Sequence, residues 1–270
     1  MQYGITGSKG FLGSSLYLKL KNFKKQNIIY QFDPRYSKIP PNLDAIFHLG
    51  YSSVLNYTKN NNLSLENDIK SARSIATYCQ ENYCHLIFIS SSAVYMNSLE
   101  RNNYAISKVK IENLLLDYHN ALFYPLTIVR LFNSYGPGQS LNFVIPQIIN
   151  SLLNKERLVI RQPKSKRDFV YIDDFSELIS LCTLNDTAPY IFNLKTGNEI
   201  TIEDLVKMIS EKIGIDFSEF IELSSNNNES NIIIDEMVPN PPPEFKFKFS
   251  IDNGIRKTIN YFRSTSIKEL

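Results

Sequence analysis

The sequence predicts an α/β protein built on a doubly wound parallel sheet, and three observations carry this. The strand-forming run Gln2 to Thr6 breaks into Gly7-Ser8-Lys9-Gly10-Phe11-Leu12-Gly13, with a glycine at every third place, and then into a helical pattern through Leu16, Leu18, Leu20 and Phe23. Short apolar runs and amphipathic stretches then alternate over the first two-thirds of the 270 residues, which is how βαβ units read. A second strand, Ile28 to Phe32, ends at Asp33, twenty residues past the last glycine (33 − 13). Glycines so placed let the chain turn tightly and approach a diphosphate at a helix start, and a carboxylate at that distance accepts hydrogen bonds from an adenosine ribose. The expected frame is therefore Rossmann-like, with a smaller mixed C-terminal substrate-binding region.

The elements follow in order. Asp33 favours NAD over NADP, because a carboxylate repels a 2′-phosphate; Arg35, two residues on, offsets that preference. Pro34 to Asn42 is a short, proline-bearing connection. Ala45 to Leu49 is the next strand, and Gly50 at its end lets the chain pass close to a flat cofactor. Leu63 to Tyr78 reads as an amphipathic helix with Asn67 inside it. The strand His85 to Ser90 runs into Ser91-Ser92-Ala93-Val94-Tyr95. Its hydroxyls lie at the C-terminal sheet edge, where open α/β sheets bind ligands.

Tyr104 and Lys108 open the next helix, which continues through Val109, Ile111, Leu114 and Leu115. Four apart, they share a helix face. A tyrosine is a poor base near neutrality, and a nearby ammonium is expected to bring its pKa down against desolvation. With a serine hydroxyl beside it, this pair can move a proton on and off an alcohol.

Leu126 to Arg130 is a strand, and Leu131 to Gly138 reads as a loop rich in turn formers. Val144 to Leu153 is a helix, Arg167 to Tyr171 a strand, Asp173 to Leu184 a helix and Tyr190 to Leu194 a strand. Thr201, with Asp204 at capping-box spacing, opens a helix to Ile213. Ser224 to Ser230 reads as an exposed loop, Pro239 to Pro243 as stiff extended chain, and Asp252 to Phe262 as a closing helix. The dinucleotide-binding domain is expected over 1–135, with 168–194 returning to it; 136–167 and 195–270 form the smaller region.

Bulk properties narrow the function. The net charge of +2 gives no field that points to nucleic acid or an acidic membrane. No apolar run is long enough to span a bilayer, and the N-terminus enters a strand directly, so a cytoplasmic protein without a signal peptide is expected. Cys79, Cys84 and Cys182 read as buried reduced thiols, and neither they nor His48, His85 and His119 have metal-ligand spacing.

Seven motifs occur in one order: I-T-G-S-K-G-F-L-G at 5–13, D-A-I-F-H-L-G at 44–50, I-S-S-S-A-V-Y at 89–95, Y-A-I-S-K at 104–108, R-L-F-N-S-Y-G-P at 130–137, R-D-F-V-Y-I-D-D at 167–174 and F-N-L-K-T-G at 192–197. With these the chain resembles an extended short-chain dehydrogenase/reductase of the NAD-dependent epimerase/dehydratase family, which modifies nucleotide sugars. The resemblance implies NAD as cofactor, with NADP possible, held by Gly7, Lys9, Gly10, Phe11, Leu12, Gly13, Asp33, Arg35, Leu49, Gly50, Ser90, Tyr104, Lys108 and Leu131. It makes Tyr104 the catalytic base, supported by Lys108, Ser91 and Asn67. Ser91, Ser92, Asn133, Asn142, Val144 and Arg167 would contact a nucleotide-diphosphate sugar, Arg167 through paired bonds to phosphate. Lys164 and Lys166 read as a solvated basic loop. A homodimer is expected through the helix that carries Tyr104 and Lys108.

The departures are informative. Family 4,6-dehydratases carry an Asp-Glu pair where this chain has Ser92 and Ala93, which argues against water elimination. Ser91 and Tyr104 are thirteen apart (104 − 91), a shorter loop than usual, and Met96 stands where the family has glycine. Only Pro34 to Leu43 separates Asp33 from the next strand motif, where the family has another strand and helix. A sheet one strand short, with adenine more exposed, is therefore expected. The resulting reading is a nucleotide-sugar epimerase acting at carbon 4 through a 4-keto intermediate. A 4-keto-sugar reductase is the alternative, and a non-catalytic nucleotide sensor or scaffold a third.

Overall fold

The computed structural model describes residues 1–23, 27–51, 61–96, 102–183, 191–224, 234, 237–241 and 245–266. In chain order the elements are β1 (Gln2–Thr6), α1 (Phe11–Phe23), β2 (Ile28–Gln31), β3 (Ala45–His48), α2 (Asn61–Asn82), β4 (His85–Ser91), α3 (Asn103–Leu122), β5 (Leu126–Leu131), β6 (Asn133–Tyr135), α4 (Val144–Asn154), β7 (Leu158–Ile160), β8 (Lys166–Tyr171), α5 (Ile172–Leu181), β9 (Ile191–Leu194), β10 (Glu199–Thr201), α6 (Ile202–Ile213), β11 (Ile221–Leu223) and α7 (Ile251–Ser266). Short 3-10 turns cover Ser92–Tyr95 and Phe217–Glu219. The chain divides into two compact units. The first comprises Met1–Leu131, Phe175–Leu194 and Asn231–Phe245; the second comprises Phe132–Asp174, Lys195–Ser230 and Lys246–Leu270.

The first unit is organised on a six-stranded sheet in the order β2-β1-β3-β4-β5-β9. Every pairing in it is parallel. Successive side chains alternate between faces. Ile46, Leu86, Phe88 and Ile128 therefore pack with Ala72, Ile75, Ala76, Ile111 and Leu115 of α2 and α3. Phe47, Ile87 and Val129 point to the opposite face and are also fully buried, so both faces are covered. That is why these strands read as unbroken apolar runs rather than as alternating ones. Helices α1 and α5 lie side by side: Ser15 Oγ is 2.7 Å from Ser176 Oγ, and Lys19 Nζ donates to Glu177 Oε2 at 3.0 Å.

The connection after β2 holds a turn, in which the N–H groups of Tyr36 and Ser37 donate to the Asp33 carbonyl, and no strand. β2 is therefore an edge of the sheet, as the short spacing between Asp33 and Asp44 predicts.

The second unit holds a three-stranded sheet, β10-β8-β6, and a parallel pair, β11-β7, with α4, α6 and α7. One sequence expectation fails here. Asn133–Tyr135 is a strand paired in parallel with β8, not loop. Its turn-forming composition is overridden because Tyr135 is buried against Phe169 and Tyr171. The strands 158–160, 199–201 and 221–223 are three residues each, too short to show a period. The Thr201 cap forms as read: its Oγ1 accepts from Asp204 N at 3.0 Å and donates to Asp204 Oδ2 at 2.6 Å. Asp174 receives the N–H groups of Lys248 and Phe249, which fixes the approach to α7. Of the loop, proline and strand readings, residues 225–230, 242–243, 184 and 190 lie outside the described residues.

Candidate active site

β4 delivers Ser90 and Ser91 at its C-terminal end, and the chain turns at once into the 3-10 segment 92–95. Ser91 Oγ accepts from Ala93 N at 3.1 Å, which fixes the hydroxyl. It also hydrogen-bonds the Tyr104 phenol. Asn102 caps α3 by accepting from Ala105 N at 2.9 Å, so Tyr104 sits in the first turn, opposite the strand end. One turn further, Lys108 is buried, with Nζ donating to Ile89 O at 3.1 Å. Its ammonium lies 3.8 Å from the Tyr51 ring centre and 5.6 Å from that of Tyr104. The sequence-predicted trio of Ser91, Tyr104 and Lys108 is thus brought together.

The electrostatics differ from the expectation. Burial holds the Tyr104 phenol above its ordinary value; Ser91 lowers it and the Asp68 carboxylate raises it. The expected fall caused by the Lys108 ammonium does not occur. Burial drives Lys108 itself down to about 7, against the opposing pull of Asp68 and Glu112.

Two carboxylates in this cluster were not singled out from the sequence. Asp68 is fully buried on α2, next to Asn67, which is half-buried. Glu112 lies four residues past Lys108 on the same face of α3 and is buried. The i, i+4, i+8 spacing from Tyr104 was the signal available for Glu112. Ser90 donates its hydroxyl to Glu112 Oε1 at 2.5 Å, so its side chain points into this network. Glu112 also accepts from Arg130, whose Nη1 donates to the Tyr95 hydroxyl at 2.9 Å, and Tyr95 donates to Asn193 Oδ1 at 2.8 Å.

The turn between β1 and α1 is built by close glycine packing. Gly7 adopts φ +68°, and a Cβ on Gly13 would fall 2.1 Å from Gly7 O. A Cβ on Gly50 would meet Gly7 N at 2.9 Å. Thr6 Oγ1 accepts from Leu49 N at 3.1 Å and Gly50 N at 2.9 Å. Its own hydrogen is left for His48 Nδ1 at 2.6 Å, which puts the ring proton on Nε2. His48 is fully buried, and burial, with the Lys108 charge, lowers its pKa well below its ordinary value.

The backbone at the start of α1 therefore has a shape that only a side-chain-free turn permits, and it fits a diphosphate. Lys9 and Gly10 are exposed there, Phe11 and Leu12 are half-buried, and Leu131 is buried at the end of β5. Asp33 is engaged by Arg35: Nε donates to Oδ1 at 2.8 Å and Nη2 to Oδ2 at 2.6 Å. That pair holds the Asp33 carboxyl below its ordinary value.

Ser92 is half-buried at the start of the 3-10 turn. The remaining substrate candidates belong to the second unit. Asn133 Nδ2 donates to Asp168 O at 3.1 Å, and Arg167 Nη1 to Lys166 O at 2.8 Å. Beside Arg167, buried Asp168 accepts from Thr196 N, Thr196 Oγ1 and Gly197 N, tying the loop after β9 to β8. Asn142 is exposed and donates to Ser140 Oγ at 2.9 Å, and Val144 opens α4. Lys164 is exposed and pairs with Glu203 at 2.5 Å.

Comparison with known proteins adds three findings. The model of the NAD dependent epimerase/dehydratase family matches residues 4–194. Among curated proteins, a dTDP-D-glucose 4,6-dehydratase of Dictyostelium discoideum is 28% identical over 263 residues, covering 76% of this chain and 60% of that protein. UDP-glucuronic acid decarboxylase 1 of Arabidopsis thaliana is 24% identical over 310 positions, covering 98% and 70%. Among solved structures, a UDP-N-acetylglucosamine 4-epimerase from Methanobrevibacter ruminantium superposes with a TM-score of 0.80 at 23% identity, covering 98% of each chain. The chain thus spans 60% of the length of the first of these relatives.

Proposed function

The chain belongs to the NAD dependent epimerase/dehydratase family, and from that premise we propose that it is an NAD(P)-dependent nucleotide-sugar epimerase acting at carbon 4. The observation that carries the reading is the Ser91–Tyr104–Lys108 cluster next to Ser92 and Ala93. The cluster supports proton transfer at a sugar hydroxyl, and the absence of an acid and a base at 92 and 93 argues against dehydration.

Gly7, Gly10 and Gly13 would hold the diphosphate of the dinucleotide, Asp33 and Arg35 its adenosine ribose, and Lys108 its second ribose. When bound, the nicotinamide accepts and returns a hydride. Tyr104 takes the proton from the sugar hydroxyl as the carbon is oxidised to the 4-keto level, and returns it after the sugar presents its other face. Ser91, anchored by Ala93 N, holds the reacting oxygen. Asn67 supports the relay, and Arg167, Asn133, Asn142, Val144 and Ser92 contact the nucleotide sugar.

One observation favours a second reading, a 4-keto-sugar reductase. The Tyr104 phenol is held above its ordinary value, which suits a proton donor better than a base.

The test is to purify the protein without added cofactor, denature it and identify the released nucleotide, then incubate the intact protein with UDP- and dTDP-hexoses and follow carbon 4 by NMR. Near-stoichiometric bound dinucleotide and interconversion of 4-epimers is the expected result. An empty protein that consumes NADH or NADPH with a 4-keto sugar would replace the epimerase by the reductase. An empty protein that binds neither would sink both and leave a sensor or scaffold.

A further inference from the structure

The turn after β2 and the outer face of α2 line an open cleft of about 820 Å³. It is within the size range of small-molecule sites. Its lining is strongly basic: Arg35 and Lys38 from the turn, Lys70 and Arg73 from the helix, against one carboxylate, Glu81. Lys70 and Arg73 are three apart, so they sit on one face of α2 and point their charges the same way. Among the described residues, no ion pair involves Lys38, Lys70 or Arg73. These cations are not there to balance neighbouring carboxylates.

The cleft opens from the same turn that carries Asp33. That residue would hold the adenosine ribose in the dinucleotide reading, on which this inference rests. An unpaired Asp33 would repel a phosphate on the ribose 2′-oxygen. Here both of its carboxylate oxygens are engaged by Arg35, at 2.8 and 2.6 Å, so its charge is locally cancelled. The planar guanidinium still has donors to offer beyond this pair. The short connection contributes a second consequence: with no strand or helix between Asp33 and Asp44, α2 is left open on this side, and its polar face lines the cleft.

We propose that this cleft is a 2′-phosphate site, in which Lys70 and Arg73 of α2, with Arg35 and Lys38, select the 2′-phosphorylated dinucleotide NADP(H) over NAD(H). The residue after the second strand, read alone, gives the opposite preference. A dianionic phosphate supplies what the cleft lacks, and charge-assisted bonds from arginine and lysine are the strong class of such contacts.

The test uses the purified full chain and isothermal titration with adenosine 2′,5′-bisphosphate and adenosine 5′-monophosphate as probes, followed by fluorescence titration with NADPH and NADH. The 2′-phosphorylated member of each pair should bind tighter by about tenfold or more, a gap of one ordinary charged contact. In the K70Q/R73Q variant the gap should close while binding of the monophosphate and NADH stays unchanged. Both side chains are on the exposed face of α2, so the variant should fold, and circular dichroism checks this. Equal affinity within each pair, or a gap that survives in K70Q/R73Q, overturns the inference and leaves the proposed function standing. If NADH and NADPH both fail to bind, the proposed function falls as well.

Discussion

Glu112 grips Arg130 through two guanidinium nitrogens, with Nη2 at 2.7 Å and Nε at 3.2 Å from Oε2. The side chains are 4% and 16% exposed, so both charges have been taken almost out of water. The pair holds the Arg130 guanidinium above its ordinary value. It links α3 to β5 one helical turn past Lys108. Replacing Glu112 by Gln leaves the arginine charge buried without its counter-ion. The expected loss is about 3–5 kcal/mol of stability, read as a lower urea midpoint at unchanged slope. The E112Q/R130M double variant should lose less than the two single losses added together. A single variant within about 0.5 kcal/mol of wild type would show that the pair is not stabilising at all.

Tyr104→Phe removes the phenolic proton and keeps the ring. Turnover should fall by about 10²- to 10⁴-fold. Dinucleotide affinity, measured by fluorescence titration, should not change. Ser91→Ala removes the hydrogen bond that favours the phenolate, so the Tyr104 pKa should rise further and the limb along which the rate rises as Tyr104 loses its proton should move to higher pH. Turnover that survives Y104F contradicts the assigned mechanism; an S91A profile that moves to lower pH contradicts the assigned hydrogen bond.

The pH dependence of stability has a definite sign. Lys108 titrates at about 7 in the folded protein and at 10.5 ordinarily. Between those values the unfolded chain binds more protons than the native one, so stability rises with pH across the window. His48, held well below 6.5, acts in the same direction at lower pH: stability falls as the solution becomes more acid than 6.5. Tyr104 acts in the opposite direction above 10, because its folded value is the higher one. Thermal melts of the cofactor-free protein from pH 6 to 10 should show the rise. K108M should flatten it above 7 and be relatively most stabilised at the low end. Parallel curves for the two proteins would mean that Lys108 is not shifted.

Gly13→Ala places a methyl 2.1 Å from the Gly7 carbonyl oxygen, and backbone cannot yield as a side-chain tip does. The turn before α1 must open. Dinucleotide binding should be lost, with a drop in melting temperature on the order of several degrees. Calorimetry and titration on the same sample separate the two effects. Unchanged affinity would mean that this turn does not carry the diphosphate.

The parallel sheet was legible because its evidence is local and repeated. Apolar runs such as Ile87-Phe88-Ile89 and the glycines at 7, 10 and 13 each point to the same frame. The missing strand after Asp33 was legible too, since a ten-residue connection with three prolines, Pro34, Pro40 and Pro41, has no room for a strand and helix. Asn133–Tyr135 was not, because its pairing with β8 depends on residues 36 positions away (169 − 133), and nothing in Asn-Ser-Tyr announces it. Within the site, the trio of Ser91, Tyr104 and Lys108 could be read from spacing. Its electrostatics could not, because the fall of Lys108 depends on how completely Ile89, Tyr51 and Phe88 surround it. Asp68 was hidden for the same reason: one position decides which of two adjacent polar residues on a helix is buried.

Asn193 sets the order in which the chain can be completed. Its backbone N–H donates to Pro239 O and its Nδ2 to Val238 O, while its Oδ1 receives the Tyr95 hydroxyl. β9 pairs with β5 across a separation of 63 positions (191 − 128), most of them belonging to the second unit. During synthesis the first five strands can assemble early, but the sheet stays open along β5 until β9 arrives. The polar groups of Asn193 then wait for a segment some 45 residues further on (238 − 193). A nascent chain stalled before residue 238 carries buried donors without acceptors, and its sixth strand should exchange backbone hydrogens far faster than the other five.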